Sequence, residues 1–186
     1  MAAAGFENFL SHAGKLADRK LPPVDQWSPA FCGDIDIRVA RNGSWYHEGR
    51  PFLRQPLVNM LSSILKREGD EYFLISPVEK MRIQVEDVPF IVVGMTEQNM
   101  SGELTLVFRT LTDDIIPLDA EHSLRVQTDE LTGEPRPYIQ VRSGMEARIH
   151  RPVFYELVER GREVIRHGES HLMIESAGLQ FDLGRL

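Results

Sequence analysis

Only one cysteine, Cys32, occurs in the 186 residues. No intramolecular disulfide can form and a thiolate-rich metal site is excluded, so the reducing cytoplasm is the expected compartment. Long apolar runs are also missing. Nothing approaches the ~20 consecutive residues of a membrane-spanning helix. The opening Met1-Ala-Ala-Ala-Gly-Phe6 lacks the charged region and unbroken apolar stretch of a secretory signal. Basic charge is scarce: 21 Lys and Arg stand against 28 Asp and Glu, a net charge of -7. That balance argues against bulk binding of nucleic acid or of an anionic membrane, both of which attract basic surfaces. Nor is there a phosphate-binding G-x-x-x-x-G-K-[ST] loop, a G-x-G-x-x-G turn, an H-E-x-x-H helix or a G-x-S-x-G elbow. No catalytic residue, metal ligand or cofactor is therefore assigned.

What is present is the composition of a folded globule, 42% hydrophobic and 26% charged. Phe6, Phe9, Leu10, Ala13, Leu16 and Ala17 share one helical face, which Pro22-Pro23 terminates. From Ile35 the pattern alternates, with Ile37 and Val39 opposed to Asp36 and Arg38, as in a half-buried strand. Asn42-Gly43 predicts a tight hairpin turn with two positive-φ positions, and Trp45 begins the return strand. Arg50-Pro51 reads as the opening of a helix through Leu57, Met60, Leu61, Ile64 and Leu65, ending near Gly69. Strands are expected over 72–75 and 81–85, with a short helical turn at Ser76-Pro-Val-Glu79 between them. Further strands are expected over 90–95 and 104–111, then over 124–128 and 138–141.

The second half repeats the first. Ile37-x-Val39, Gly43 and Arg50-Pro51 correspond to Ile139-x-Val141, Gly144 and Arg151-Pro152. A helix through Phe154, Leu157, Val158, Val164 and Ile165 follows, then Gly168 and two strands. The shared order points to duplication. The expected architecture is α+β: two similar lobes, each a mostly antiparallel curved sheet with one amphipathic helix, plus an N-terminal helix. Its parts are 1–28 (helix and linker), 29–95 (first lobe) and 96–186 (second lobe).

The residues that could carry chemistry are chiefly basic. In the strand ending at Arg142, Ile139 and Val141 face one way and send Arg142 to the other face, and Arg148 lies opposite Met145, Ala147 and Ile149. Arg151 stands at the mouth of the second helix, where unpaired backbone N–H groups favour an anion. The first half offers Arg38, Lys80 and Arg82 on polar strand positions and Trp45 beside the hairpin, and Trp45 or, in the second half, Tyr155 is expected to give a flat surface for a base. The alternative is a solvated face with scattered ion pairs. His167 and His171 are spaced as metal ligands but are expected to be parted by Gly168 at a helix end. Asp34-x-Asp36 and Asp113-Asp114 read as turn or surface carboxylates, and Cys32 as a buried or half-buried inert thiol.

Several separated motifs, taken in order, resemble the bacterial domain-of-unknown-function family 1285. They are Gly33-Asp-Ile-Asp-Ile-Arg-Val-Ala-Arg-Asn-Gly-Ser-Trp-Tyr46, Arg50-Pro51, Ser76-Pro-Val-Glu-Lys80 and Val85-Glu-Asp-Val-Pro-Phe90, then Pro137-Tyr-Ile-Gln-Val-Arg142, Val153-Phe-Tyr-Glu-Leu157 and Phe181-Asp-Leu-Gly184. The resemblance implies a duplicated core, a C-terminal half superficially similar to pleckstrin-homology folds, and a nucleotide-like ligand between the halves, in a signalling role. It supplies no catalytic residues. Together with the arginines it leads to the expectation of a regulatory module that binds an anionic, nucleotide-like ligand between its two lobes. A protein–protein interaction module, with a signalling protein as partner, and a hydrolase of phosphorylated small molecules stand as alternatives.

Overall fold

The computed structural model describes residues 21–186, which are mainly β-strand with two helices. The helix expected over Phe6 to Ala17 lies outside the described residues, and the first described element is a single 3-10 turn at Val24–Gln26. The chain divides into two units between Pro89 and Phe90.

The first unit contains β1 (Phe31–Val39), β2 (Trp45–His47), β3 (Arg50–Pro51), α1 (Gln55–Ser63), β4 (Leu65–Glu68), β5 (Glu71–Ile75) and β6 (Lys80–Val85). They form one six-stranded sheet in the order β3-β2-β1-β6-β5-β4. All neighbours are antiparallel except β1 and β6, which run parallel. Ile37 and Val39 of β1, like Leu61, Ile64, Leu74 and Ile75, are buried without solvent exposure and belong to this unit's core.

Two turns differ from expectation. Between β1 and β2 only Gly43 has positive φ, at 84°. Ser44 O and Ala40 O accept from Ala40 and Gly43 N–H, and the Asn42 side chain takes the Ser44 N–H, which removes the need for a second positive φ. The turn with two positive-φ residues is Glu48-Gly49, which reverses the chain from β2 into β3. Arg50-Pro51 is therefore a strand. The helix opens later, after Arg54, with Pro56 in its first turn. Ser76-Pro-Val-Glu79 makes no helix: Ser76 Oγ accepts from Val78 and Glu79 N–H at 3.3 and 3.0 Å, closing the turn between β5 and β6.

The second unit begins with β7 (Phe90–Met100), a strand that a lobe boundary at 95/96 would cut. It continues through β8 (Glu103–Thr110), β9 (Ile115–Pro117), β10 (Leu124–Thr128), β11 (Pro135–Arg142) and β12 (Met145–Ile149). Their sheet has the order β10-β11-β12-β7-β8-β9, with β12 and β7 parallel. Then come α2 (Arg151–Arg160) and a separate three-stranded sheet of β13 (Arg162–Arg166), β14 (Glu169–Ser176) and β15 (Leu179–Arg185). α2 buries Val153, Phe154 and Leu157 and stops at Gly161. Val164 and Ile165, expected on that helix, belong to β13, as the β-branched pair between charged residues favours.

Hairpin, helix and three-stranded meander thus occur in both units, and the two lobes are similar in this order of elements. In β5–β6 the pairs are Leu74 with Met81 and Ile75 with Lys80. A hundred residues on, Ile174 pairs with Phe181 and Glu175 with Gln180 in β14–β15. Both helices carry proline in the first turn, Pro56 and Pro152. The Arg-Pro dipeptides are not equivalent, since one is strand and the other helix.

One hydroxyl joins the meander of the second unit to its larger sheet. β9 pairs with β8 at Val107 to Arg109 and Leu118 N–H reaches Leu106 O at 2.8 Å, which leaves the β8 edge from the Leu106 amide back to Glu103 without a strand of this sheet. There Ser176 Oγ, wholly buried, accepts from Leu106 N–H at 2.9 Å and donates to Leu118 O at 2.7 Å, while Ala177 N–H donates to Leu104 O at 2.9 Å. Its counterpart Ser76 is equally buried but serves its own turn. Ser176→Ala removes a partner from two buried backbone groups, each costing ~1–3 kcal/mol. We expect a stability loss of about 2–4 kcal/mol in urea unfolding, against about 1 kcal/mol for Ser76→Ala. Equal losses for the two variants contradict the cross-sheet role.

Candidate anion site

Three guanidinium groups and a helix start meet in the second unit. The turn from β10 to β11 is set by Asp129, whose Oδ1 accepts from Leu131 and Thr132 N–H at 2.9 Å each. Its backbone closes the same turn, accepting from Gly133 N–H at 2.8 Å and donating to Glu134 O at 2.8 Å, with Gly133 at φ 70°. Arg136 follows on β11 and pairs with the other carboxylate oxygen of Asp129. The Thr132 and Leu131 amides, with Arg136 beside them, hold the Asp129 carboxyl below the usual carboxylate range.

Arg148 sits on β12 opposite Tyr138. Two residues later the chain enters α2: His150 N–H donates to Val92 O, and His150 O accepts Phe154 N–H at 3.0 Å. No side chain caps this helix, and Pro152 removes one N–H from its first turn. Arg151, the first helical residue, pairs with Glu134, which keeps its guanidinium still more firmly protonated. A concavity of about 330 Å³ is lined by Arg136, Arg148, Arg151, His150, Thr132 and Phe154, with Asp129 and Glu134 on its wall. The three arginines outnumber the two carboxylates, and the positive end of the α2 dipole adds to them.

The structure brings together Arg148 and Arg151 of the residues singled out by sequence. Arg142 stands apart. A bulge between Gln140 and Arg142 sets it opposite Met145, out of the row that holds Glu146 and Arg148. Its guanidinium lies 4.6 Å from the Phe90 ring centroid and bonds Asp114, which also accepts from Thr110 and Thr112 hydroxyls at 3.0 and 2.8 Å. Asp114 is thus a half-buried anchor rather than a solvated turn residue, with 11% of its side chain exposed. Tyr155 is 57% exposed and lines no part of the concavity, where Phe154 stands instead. Trp45 belongs to the first unit's core at 2% exposure, so its ring offers no free face, and its Nε1 is buried without a hydrogen-bond partner.

Lys80 and Arg82 also lie in the first unit, and both are engaged. Lys80 bonds Glu68 at 2.6 Å and lies 4.6 Å from the Phe73 ring centroid. Arg82 takes Asp34 in two bonds, 2.7 and 3.1 Å, and Glu71 in a third. The Arg82 hydrogen bonds hold Asp34 below its usual range. Cys32 is exposed rather than buried and donates to Ala30 O. His167 lies in the β13–β14 turn, not at a helix end, and His171 bonds Asp182 at 2.8 Å. Among the described residues no cluster of His, Cys, Asp or Glu is placed to hold a metal ion, and no helix is long and apolar enough to cross a membrane.

Arg136, His150 and Thr132 escaped the sequence reading. Arg136 was within reach of it: two residues before Tyr138 on one strand, it shares the face of Arg148. His150 and Thr132 carry no comparable periodic signal.

No curated protein matches this chain. It is similar to two solved structures. One is a DUF1285 family protein from Silicibacter pomeroyi DSS-3, 39% identical, with a TM-score of 0.81 over 91% of this chain and 90% of that one. The other is a DUF1285 family protein from Shewanella baltica OS155, 25% identical, with a TM-score of 0.55 over 67% of this chain and 91% of that one. Residues 22–88 match the family model described as "Domain of unknown function (DUF1285), N-terminal domain". Residues 89–183 match "Protein of unknown function (DUF1285), C-terminal domain". The chain belongs to the DUF1285 family.

Proposed function

We propose that the protein is a regulatory module whose second unit binds a small phosphate-bearing, nucleotide-like molecule in the concavity at the start of α2. One observation carries the reading: Arg136, Arg148 and Arg151 line a single concavity with an uncapped helix N-terminus. Arg151 and Glu134 are exposed by 63% and 52%, so their ion pair is solvent-screened and a phosphate replaces the carboxylate at little cost. Phe154 and His150 supply ring surface beside the charges. The nucleotide-like character rests on the family resemblance, and the charge arrangement supports the anion. Binding is favoured over turnover because Asp129 is committed to two amides and Arg136, and so is a poor general base.

A thermal-shift screen of nucleotides and inorganic phosphate finds the ligand, since one present at ~100 times its Kd stabilises by ~2.7 kcal/mol. Arg148→Ala and Arg151→Ala should each weaken the best hit about tenfold or more, because charge-assisted bonds contribute ~1.5–3 kcal/mol. Glu134→Gln should tighten it about two- to fivefold by removing the internal competitor. Unchanged affinity in both arginine variants rejects this site.

The Asp129 turn also gives the site an acid limit. A carboxyl with a lowered folded-state value contributes stability that is present above its unfolded value, ~3.9, and lost as pH falls through the folded value. The melting temperatures of the wild type and Asp129→Asn should therefore differ by a constant amount above about pH 4 and converge below it. A gap that persists to pH 2 contradicts the assignment.

A further inference from the structure

We infer that the second unit carries another ligand site, between β8 and the three-stranded sheet, that takes a dipeptide with apolar side chains. This inference is independent of the anion site. Strand register sets its floor. Arg162 is opposite Met173, Val164 is opposite His171, and Glu175 is opposite Gln180, so Arg162, Val164, Met173 and Glu175 share one face. Facing them are Glu103, Leu104 and Leu106 of β8, held there by the Ser176 and Ala177 bonds. The resulting groove has a volume of about 390 Å³, within the ~300–1,000 Å³ of small-molecule sites.

Three of the five charged side chains lining the groove are unspent. Arg160 at the rim is held by Glu97 at 2.8 Å. The side chains of Arg162, Glu103 and Glu175 have no hydrogen-bond or ion-pair partner among the described residues, although both signs line the same groove. Arg162 and Glu175 are diagonal neighbours across β13 and β14, a spacing of about 7–8 Å, and the apolar Met173, opposite Arg162 and two residues from Glu175, lies beside both. A ligand that satisfies both needs a carboxylate and an ammonium at opposite ends of an apolar body. A free amino acid carries its two charges on one carbon. A dipeptide separates them by a further Cα–Cα step of ~3.8 Å and adds two side chains for Val164, Met173 and Leu104. A purely anionic ligand meets the carboxylates Glu103 and Glu175 and is disfavoured.

The probe is leucyl-leucine, titrated calorimetrically into the full chain beside N-acetyl-leucyl-leucine, which lacks the ammonium, and leucyl-leucinamide, which lacks the carboxylate. Leucyl-leucine should bind with saturation, and each blocked form should bind about tenfold or more weakly. Arg162→Gln should reduce leucyl-leucine affinity by a similar factor while leaving the weak binding of the amide unchanged. Glu175→Gln should do the converse with the acetyl form. Both residues are exposed, and circular dichroism checks that each variant remains folded. Arg148→Ala should have no effect here. Absence of saturable binding at millimolar leucyl-leucine overturns the inference, as does undiminished affinity in both Arg162→Gln and Glu175→Gln.

Discussion

A buried sheet edge needs partners for its backbone groups, and in the second unit that demand falls on Ser176. β9 is too short to cover β8 along its length, so the Leu106 amide faces away from any strand. A backbone strand could cover that amide only by extending the sheet. A hydroxyl covers it while turning the chain away, and so permits a second sheet to stand against the first. Because Ser176 also donates to Leu118, one oxygen fixes the meander to β8 and to the segment that follows β9. The groove with unpaired charges lies beside this anchor, where the two layers meet.

The repeated order of elements explains where the arginine site arises and why the first unit has no equal. In the second unit the helix follows β12 directly, so that Arg148 on the strand and Arg151 on the helix are three residues apart and converge. In the first unit the Glu48-Gly49 turn and β3 stand between β2 and α1. A cation on β2 there would be separated from the helix start by an extra strand. The meanders differ in a related way. The first joins its hairpin through β1 and β6, whereas β10 occupies the corresponding edge of β11 in the second and leaves the meander as its own sheet.

Periodicity made most of the strands legible. Alternation predicts β1, strands are also expected where β8, β10 and β11 lie, and Gly102 and Gly133 take positive φ in the turns beside them. In both halves the apolar spacing predicts a helix that runs on through β4 or β13. Ile64-Leu65 and Val164-Ile165 continue an apolar spacing that a helix also satisfies, and only tertiary pairing with β5 and β14 decides the matter. At the site, parity gave Arg148 its face but failed for Arg142, because a bulge inverts a strand's faces without any change in residue spacing. Trp45 misled in another way. A two-residue turn at Asn42-Gly43 would set it opposite Ala40 on the polar face, whereas the observed register sets it opposite Val39 on the buried one.

The parallel pairing of β1 with β6 has a consequence for synthesis on the ribosome. That sheet remains open until Lys80–Val85 has been made, since its central neighbour to β1 comes last. Yet every strand it needs precedes Pro89, and none comes from the later unit. At translation rates of ~5–20 residues per second, the rest of the chain takes on the order of 5 to 20 s to appear. β7 and β8 fall within its first 21 residues, so the first sheet escapes competition from their edges by closing in the roughly 1 to 4 s before Thr110 is added.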